Sequence, residues 1–226
     1  MNHINEKCKV RTENFKILHF TFYILPFAFL FLSGCVAFQV GGEIKPGRYA
    51  LLRGDSKEAL AHFRRAAEID PNYVNNFTPL NEGVWTYVGR AYYATGDLSA
   101  ARKALEQART RHADDQLATL YLGLVLAKDG DRERGLKELE AGLRGLNDWL
   151  DYLELYHTDG RFWDPGRQLR SEIQRELGII KGKEVNWSEI IAGAEYLGEQ
   201  FEKEIDEAKR HRERTRDDED RRAESR

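Results

Sequence analysis

Between residues 85 and 108 the apolar positions follow one another at intervals of three and four, the spacing of one face of an α-helix. These positions are Trp85, Val88, Tyr92, Ala101, Leu105 and Ala108. The dipeptide Gly96-Asp97 interrupts the pattern, and glycine can end one helix while aspartate caps the next. The pattern therefore predicts two short helices joined by a tight turn.

The same unit begins again 34 residues later. The recurring positions are Gly89 with Gly123 and Gly96-Asp97 with Gly130-Asp131. An earlier unit is marked by Gly54-Asp55, which precedes Gly96-Asp97 by 42 residues, eight more than one period. A fixed period of this length indicates stacked helix pairs, and the extra residues indicate an insertion between the first two units.

The segment Trp85-x-x-Val88-Gly89-x-x-Tyr92, followed by Ala101-x-x-x-Leu105, resembles a tetratricopeptide repeat. The third unit departs from the family pattern, with Thr119 in the tryptophan position and Gly135 and Gly142 in two alanine positions. The resemblance implies an all-α solenoid of about three helix pairs over residues 47–146, followed by C-terminal capping helices. The residues that define the repeat are Trp85, Gly89, Tyr92, Gly96, Ala101, Ala108, Gly123 and Gly130.

The N-terminal region has the three parts of a secretory signal: a positively charged start, an apolar run over Ile17–Leu32, and small residues after it. The sequence Leu32-Ser33-Gly34-Cys35 resembles the lipobox of bacterial lipoproteins. The resemblance implies that residues 1–34 are removed between Gly34 and Cys35, and that Cys35 carries lipid with fatty acids such as palmitate. Val36 then favours the outer membrane. The alternative is an uncleaved membrane anchor, because Ile17–Val40 contains 24 residues.

Residues 35–46 include Gly41, Gly42 and Pro46, and this composition predicts a short tether between the lipid and the repeats. Without residues 1–34 the chain has 31 Lys and Arg against 36 Asp and Glu, a formal net charge of −5. This balance gives no reason to expect a nucleic-acid partner. The two cysteines are Cys8, in the predicted signal peptide, and Cys35, so neither disulfide nor thiol chemistry is expected.

Residues 147–208 lose the repeat phase but remain helical in pattern. A face of Trp149, Tyr152, Leu153 and Tyr156 predicts one helix, and Asn186 with Glu189 resembles the capping box of another. The apolar stripe over residues 187–208 has two interpretations: it covers the end of the array, or it pairs with a second copy or a partner helix. The charged residues 209–226 predict a disordered tail.

No motif for catalysis or for metal or cofactor binding is present. The sequence contains no phosphate-binding loop, no H-E-x-x-H and no G-x-S-x-G. His157 with Asp159 is the best acid–base candidate, and an ordinary polar loop is the simpler interpretation. We therefore expect a protein that is not an enzyme and that needs no cofactor or metal.

In the tetratricopeptide family the first helix of each pair lines a groove that commonly holds a peptide or a partner's helix. By position in the repeat, the groove residues of this chain are Thr86, Arg90, Tyr93, Leu117, Leu120, Leu124 and Lys128. Their mixture of apolar and cationic side chains suits a segment with one hydrophobic anchor and an acidic group. The alternative is that the three leucines pack on the C-terminal helices, and the sequence leaves both open.

These observations predict a membrane-anchored periplasmic adaptor or scaffold that binds another cell-envelope protein or peptide through its groove. Two alternatives remain open. One is an accessory lipoprotein of a small-ligand transport system, which requires an enclosed cavity. The other is a structural lipoprotein that self-associates through residues 187–208.

Overall fold

Most of the described part of the chain is helical. The computed structural model describes residues 36–75 and 80–224. Its helices are residues 36–52 (α1), Ser56–Ile69 (α2), Val84–Thr95 (α3), Leu98–Arg111 (α4), Gln116–Lys128 (α5), Arg132–Tyr156 (α6), Gln168–Ile180 (α7) and Trp187–Glu224 (α8). A 3₁₀ turn at Gly160–Phe162 lies between α6 and α7.

The first six helices form three consecutive pairs, α1 with α2, α3 with α4, and α5 with α6. A glycine with positive φ follows the first helix of each pair: Gly54 at 84°, Gly96 at 84° and Gly130 at 95°. Asp97 and Asp131 then cap α4 and α6 by accepting hydrogen bonds from the backbone N–H groups of Ala100 and Arg134. The predicted all-α solenoid of helix pairs is confirmed.

The predicted insertion between the first two units carries a two-stranded antiparallel ribbon. Strand β1 is Val74–Asn75 and strand β2 is Glu82–Gly83, with Val74 opposite Gly83 and Asn75 opposite Glu82. The insertion therefore places Glu82 immediately before α3, where its side chain is buried.

The predicted tether over residues 35–46 is corrected by the structure. Residues 36–52 are helical, and Val40, Ile44 and Ala50 are buried in an apolar cluster with residues of α2 and α3. A Cβ atom at Gly47 would overlap the ring of Phe63, so α1 and α2 are in close contact. The apolar spacing of α1 outweighs the glycines and the proline that suggested a linker. Cys35 and the predicted signal peptide lie outside the described residues.

Glycines replace alanines in α6 because α5 and α6 approach each other too closely for a methyl group. A Cβ atom at Gly142 would lie 2.7 Å from the backbone N of Leu120, and one at Gly135 would lie 2.7 Å from the backbone N of Ala127. Backbone atoms cannot move aside as a side chain can. The two glycines by which the third unit departs from the family pattern therefore have a packing cause.

We expect Gly142→Ala to lower the free energy of unfolding by about 1–3 kcal/mol, since the added methyl group overpacks the α5–α6 contact. Gly178 in α7 is the matched control, because a Cβ atom there meets no atom within 4 Å. Gly178→Ala should be neutral or stabilising by about 0.5 kcal/mol through helix propensity. Urea unfolding of both variants checks this, and equal effects would contradict the packing explanation.

After the third pair the chain continues without a break, because α6 runs through the predicted boundary at residue 146. In the C-terminal half of α6 the buried face consists of Leu146, Leu150 and Leu153, whereas Tyr152 and Tyr156 are exposed. The predicted face of Trp149, Tyr152, Leu153 and Tyr156 was therefore wrong in register. Leucines hold the inner positions, and the larger aromatic rings lie at the edge or in solvent.

Helix α8 begins after Asn186, whose side chain accepts a hydrogen bond from the backbone N–H of Glu189. The helix extends through residue 224, so the predicted disordered tail over residues 209–226 is corrected for the part that is described. Ion pairs one turn apart stabilise this charged end: Arg210 with Glu207, Lys209 with Glu213 and Arg221 with Asp218.

Candidate functional site

Helix α8 occupies the surface that was predicted to bind a partner. We call this surface the groove, formed by the first helix of each pair, α1, α3 and α5. Side chains from all three contact α8: Arg48 from α1, Arg90 and Tyr93 from α3, and Tyr121 and Lys128 from α5. The chain therefore supplies its own helix to the groove.

Arg90 lies at the centre of this contact and is almost fully buried. Its Nη1 donates to Oε1 of Glu82 at 2.7 Å and to Oε2 of Glu202 in α8 at 2.6 Å. Its guanidinium also lies over the ring of Tyr121, 5.2 Å from the centroid. The cation that was expected to attract an acidic partner is thus neutralised inside the chain.

Glu202 joins α8 to two helix pairs at once. Arg48 donates from Nε to the Glu202 carboxylate and from Nη2 to its main-chain oxygen at 3.1 Å, while Arg90 holds the other carboxylate oxygen. Burial opposes ionisation of Glu202, but the guanidinium groups of Arg90 and Arg48 outweigh it and lower its pKa. Glu202 is therefore a buried carboxylate held between two cations.

The pKa of Glu82 is shifted in the opposite direction from that of Glu202, although both carboxylates contact Arg90. Burial and the nearby charge of Glu202 raise the pKa of Glu82 to about 8, and Arg90 only partly offsets them. The Tyr87 hydroxyl donates to Glu82 at 2.9 Å, and Asn75 donates to the Tyr87 oxygen at 3.0 Å. These contacts tie the short ribbon to the ionic cluster.

A second group of contacts lies farther along the groove, where α8 is less buried. The Tyr93 hydroxyl and Lys128 Nζ both donate to Oε1 of Glu195, at 2.5 and 2.7 Å. The Lys128 ammonium also lies over the Tyr93 ring, 4.7 Å from its centroid. Gly198 lies between these contacts and Glu202, and a Cβ atom there would overlap Tyr121. Its lack of a side chain allows α8 to approach α5.

The remaining predicted groove residues have structural roles. The Thr86 hydroxyl donates to Asp115 at 2.5 Å, and Asp115 caps α5 by accepting from the backbone N–H of Ala118 at 2.9 Å. Leu117, Leu120 and Leu124 are fully buried in the same apolar cluster as α8. Of the two interpretations left open, the structure shows the one in which these leucines pack on the C-terminal helices. A partner could reach them only if α8 left.

The apolar stripe over residues 187–208 is used inside the chain. Its inner positions are all buried in the core: Ile190, Ala194, Leu197, Phe201, Ile205 and Ala208. A homo-oligomer through residues 187–208 is therefore not supported, because the chain itself covers most of this face and leaves only Trp187 and Ile191 partly exposed.

Sequence analysis missed Arg48, Glu82 and Glu202 as the residues that fix α8. A signal was available in α8, since Glu195 and Glu202 are seven residues apart and Glu202 follows Phe201 in the inward stripe. A heptad spacing places two acidic residues on one face of a helix. The basic residues at the groove would have been natural partners for them.

The acid–base candidate that the sequence suggested, His157 with Asp159, lies in a turn after α6. His157 Nδ1 accepts from the backbone N–H of Asp159 at 3.2 Å, and Arg212 holds the Asp159 carboxylate at 2.9 Å. Across residues 36–75 and 80–224, no group of three His, Cys, Asp or Glu side chains is arranged to hold a metal ion. In the same part of the chain, no helix is long and apolar enough to cross a bilayer.

One exposed apolar cluster lies at the end of α6. We call Tyr152, Leu155 and Tyr156 the α6 cluster; their residues are 58, 73 and 75% exposed. The two tyrosine rings contact each other with centroids 5.4 Å apart. Leu155 and Tyr156 follow Tyr152 by three and four residues, so the three side chains share one face of α6 and form a contiguous exposed patch rather than isolated apolar residues.

Comparison with known proteins agrees with the helix pairs. Residues 50–121 match the tetratricopeptide repeat family. It is also similar to TPR repeat-containing protein PA0015 of Pseudomonas aeruginosa, with 36% identity over 73 residues. This match covers 31% of the chain and 62% of the relative. The repeats are typical of scaffolds for protein–protein interaction.

Proposed function

We propose that the protein is a membrane-anchored adaptor that faces the bacterial periplasm, and that it binds another envelope protein or peptide. The repeats support a role in protein interaction. The lipobox-like Leu32-Ser33-Gly34-Cys35 supports anchoring through lipid on Cys35, with Val36 favouring the outer membrane.

The surface for the partner is the α6 cluster rather than the groove. Helix α8 fills the groove with a neutralised ionic centre and buried apolar side chains, and a partner would have to break both contacts to enter. The α6 cluster needs no rearrangement. Tyrosine and leucine there offer apolar area with two hydroxyl groups, and tyrosine is enriched among the residues that dominate protein interfaces. The exposure of this cluster is the observation on which the proposal rests.

Site-specific photocrosslinking in bacterial cells tests the proposal with the full chain. A photoreactive phenylalanine analogue at Tyr156 is expected to give a discrete adduct with an envelope protein. The same analogue at Tyr196, a 49% exposed tyrosine on α8, is the matched control and should give none. A protein with the analogue at Tyr156 and the second substitution Leu155→Ser should give a weaker adduct, since the serine removes apolar contact area.

The anchor is tested in the same cells. Cys35→Ser is expected to abolish incorporation of a palmitate analogue and to leave the precursor uncleaved. Labelling that persists in Cys35→Ser would contradict the lipid site. Equal adducts at Tyr156 and Tyr196, or none at Tyr156, would contradict the α6 cluster as the partner surface.

A further inference from the structure

A cavity of about 460 Å³ lies between α1 and the C-terminal part of α8, and Arg48, which binds Glu202, forms part of its wall. Its apolar wall includes Ile44 from α1, Phe162 and Trp163 from the segment after α6, and Ile205 from α8. Phe38 lies at its edge with 83% of the residue exposed. The volume is in the range of small-molecule sites, and an exposed phenylalanine beside an apolar cavity is surface that a ligand would cover.

Two adjacent glycines, Gly41 and Gly42, line the same cavity from α1. A Cβ atom at either glycine would meet no atom within 4 Å. By contrast, the helical glycines of the repeat contacts, such as Gly89 and Gly142, each face a neighbouring helix that a side chain would strike. Each glycine in a helix costs about 0.5–1 kcal/mol relative to alanine, so this pair is not explained by helix packing. The glycines instead keep the backbone side of the cavity open.

The charges around the cavity favour an anionic head group. Its acidic residues already have cationic partners: Asp159 is held by Arg212 at 2.9 Å, and Asp206 lies 3.6 Å from Arg48. Lys45 forms no ion pair within the described part of the chain. Lys209 has only an exposed contact with Glu213 at 4.0 Å, which is worth little in water. Two lysines therefore remain for a ligand.

We propose that this cavity binds an acyl chain with an anionic head, the chemistry shared by a free fatty acid and an anionic phospholipid. The chain would lie against Phe162, Trp163 and Ile205, and the head would lie between Lys45 and Lys209. Phe38 would close over the chain. This site is separate from the α6 cluster, so it does not depend on the proposed adaptor function.

Photolabelling of the full chain in phosphatidylcholine vesicles tests the site. One arm uses a palmitic acid analogue with a photoreactive diazirine, and the other uses phosphatidylglycerol carrying the same photoreactive chain. Labelled peptides are identified by mass spectrometry. We expect adducts concentrated in α1 and in residues 205–212, and the arm with the stronger labelling identifies the source of the acyl chain.

Gly42→Leu provides the blocking variant, because Gly42 lines the cavity and a Cβ atom there meets no atom within 4 Å. We expect it to reduce labelling about tenfold, as a loss of about 1.4 kcal/mol in binding would. Gly178→Leu is the matched control: it also adds leucine at an unpacked helical glycine, but it lies outside the cavity and should leave labelling unchanged.

A double substitution tests whether the two lysines bind the anionic head group. Lys45→Gln with Lys209→Gln is expected to weaken labelling by the acid analogue about tenfold while leaving labelling by the corresponding fatty alcohol unchanged. Adducts spread over the surface, or equal labelling of Gly42→Leu and Gly178→Leu, would overturn the proposal. Equal loss of acid and alcohol labelling in the lysine variant would overturn the role of the lysines.

Discussion

Replacement of Glu202 by alanine is expected to lower the free energy of unfolding by about 3–5 kcal/mol, the range for breaking a buried ion pair from one side. The substitution leaves the guanidinium groups of Arg48 and Arg90 without the carboxylate that joins them. It also removes the carboxylate that contacts the first two helix pairs at once, and leaves Arg48 only Asp206, at 3.6 Å, as a carboxylate partner in α8. The effect should be the largest of any single substitution of an acidic residue in α8.

Glu199→Ala is the matched control, because Glu199 lies one turn before Glu202 in the same helix and pairs only with Lys203 on the surface. Its loss should change stability by less than about 1 kcal/mol. Glu202→Gln should lower the free energy of unfolding by an intermediate amount, since the amide can keep some hydrogen bonds but not the charge. Urea unfolding at neutral pH measures all three. A Glu202→Ala variant as stable as Glu199→Ala would contradict the ionic attachment of α8.

Stability is expected to fall as the pH rises from about 4.5 to 8, because the folded chain holds a proton on Glu82 that the unfolded chain has lost. The pKa of Glu82 is raised from 4.5 to about 8 by burial and by Glu202. Between these two values the folded state binds more protons, so each pH unit costs up to about 1.4 kcal/mol. Glu202 contributes with the opposite sign. Its lowered pKa adds stability that is lost only as the pH falls below its usual range.

Glu82→Gln isolates this contribution, since it keeps a hydrogen-bonding side chain and removes the titration. Burial also raises the pKa of Glu176, to about 7, so Glu176 adds to the slope below that pH. The comparison is therefore sharpest between pH 7 and 8, where the variant should lose less stability than the wild type. Urea unfolding at pH 5, 6, 7 and 8 provides the measurement. Parallel curves for the two proteins would rule out Glu82 as the titrating group.

The repeats could be predicted from the sequence because their determinants are local. Gly96 and Gly130 end the first helix of their pairs, and Asp97 and Asp131 cap the next, all within a few residues of the turn. Small residues mark where helices touch. These rules act over one unit and repeat with it, so a single sequence carries enough information to place the helix pairs.

The position of α8 could not be predicted in the same way, because the contacts that fix it join residues far apart in the chain. Glu202 is 154 residues from Arg48 and 112 from Arg90. Periodicity shows that α8 has an apolar face, but it does not show which surface that face covers. The acidic spacing of Glu195 and Glu202 indicates that α8 carries charge on its inner face, but only the tertiary contacts show that this face fills the groove.

The predicted tether and the predicted disordered tail were wrong for the same reason. Both predictions relied on amino-acid composition and gave too little weight to the spacing of side chains along the helix. Gly41, Gly42 and Pro46 suggested a tether, yet Val40 and Ile44 are four residues apart and bury one helical face. The charged residues after 208 suggested disorder, yet opposite charges three or four residues apart support a helix. In both places the interval between side chains was the better guide.

Helix α8 also changes how cooperatively the molecule should unfold. In an open solenoid each repeat contacts only its neighbours, and the terminal repeats can fray independently. Here Glu202 joins the first pair to the second, and Glu195 contacts both the second and the third. Neither end of the array can detach without also releasing α8. We therefore expect the three repeats to unfold as a single thermodynamic unit, in which a substitution in the first pair also destabilises the last.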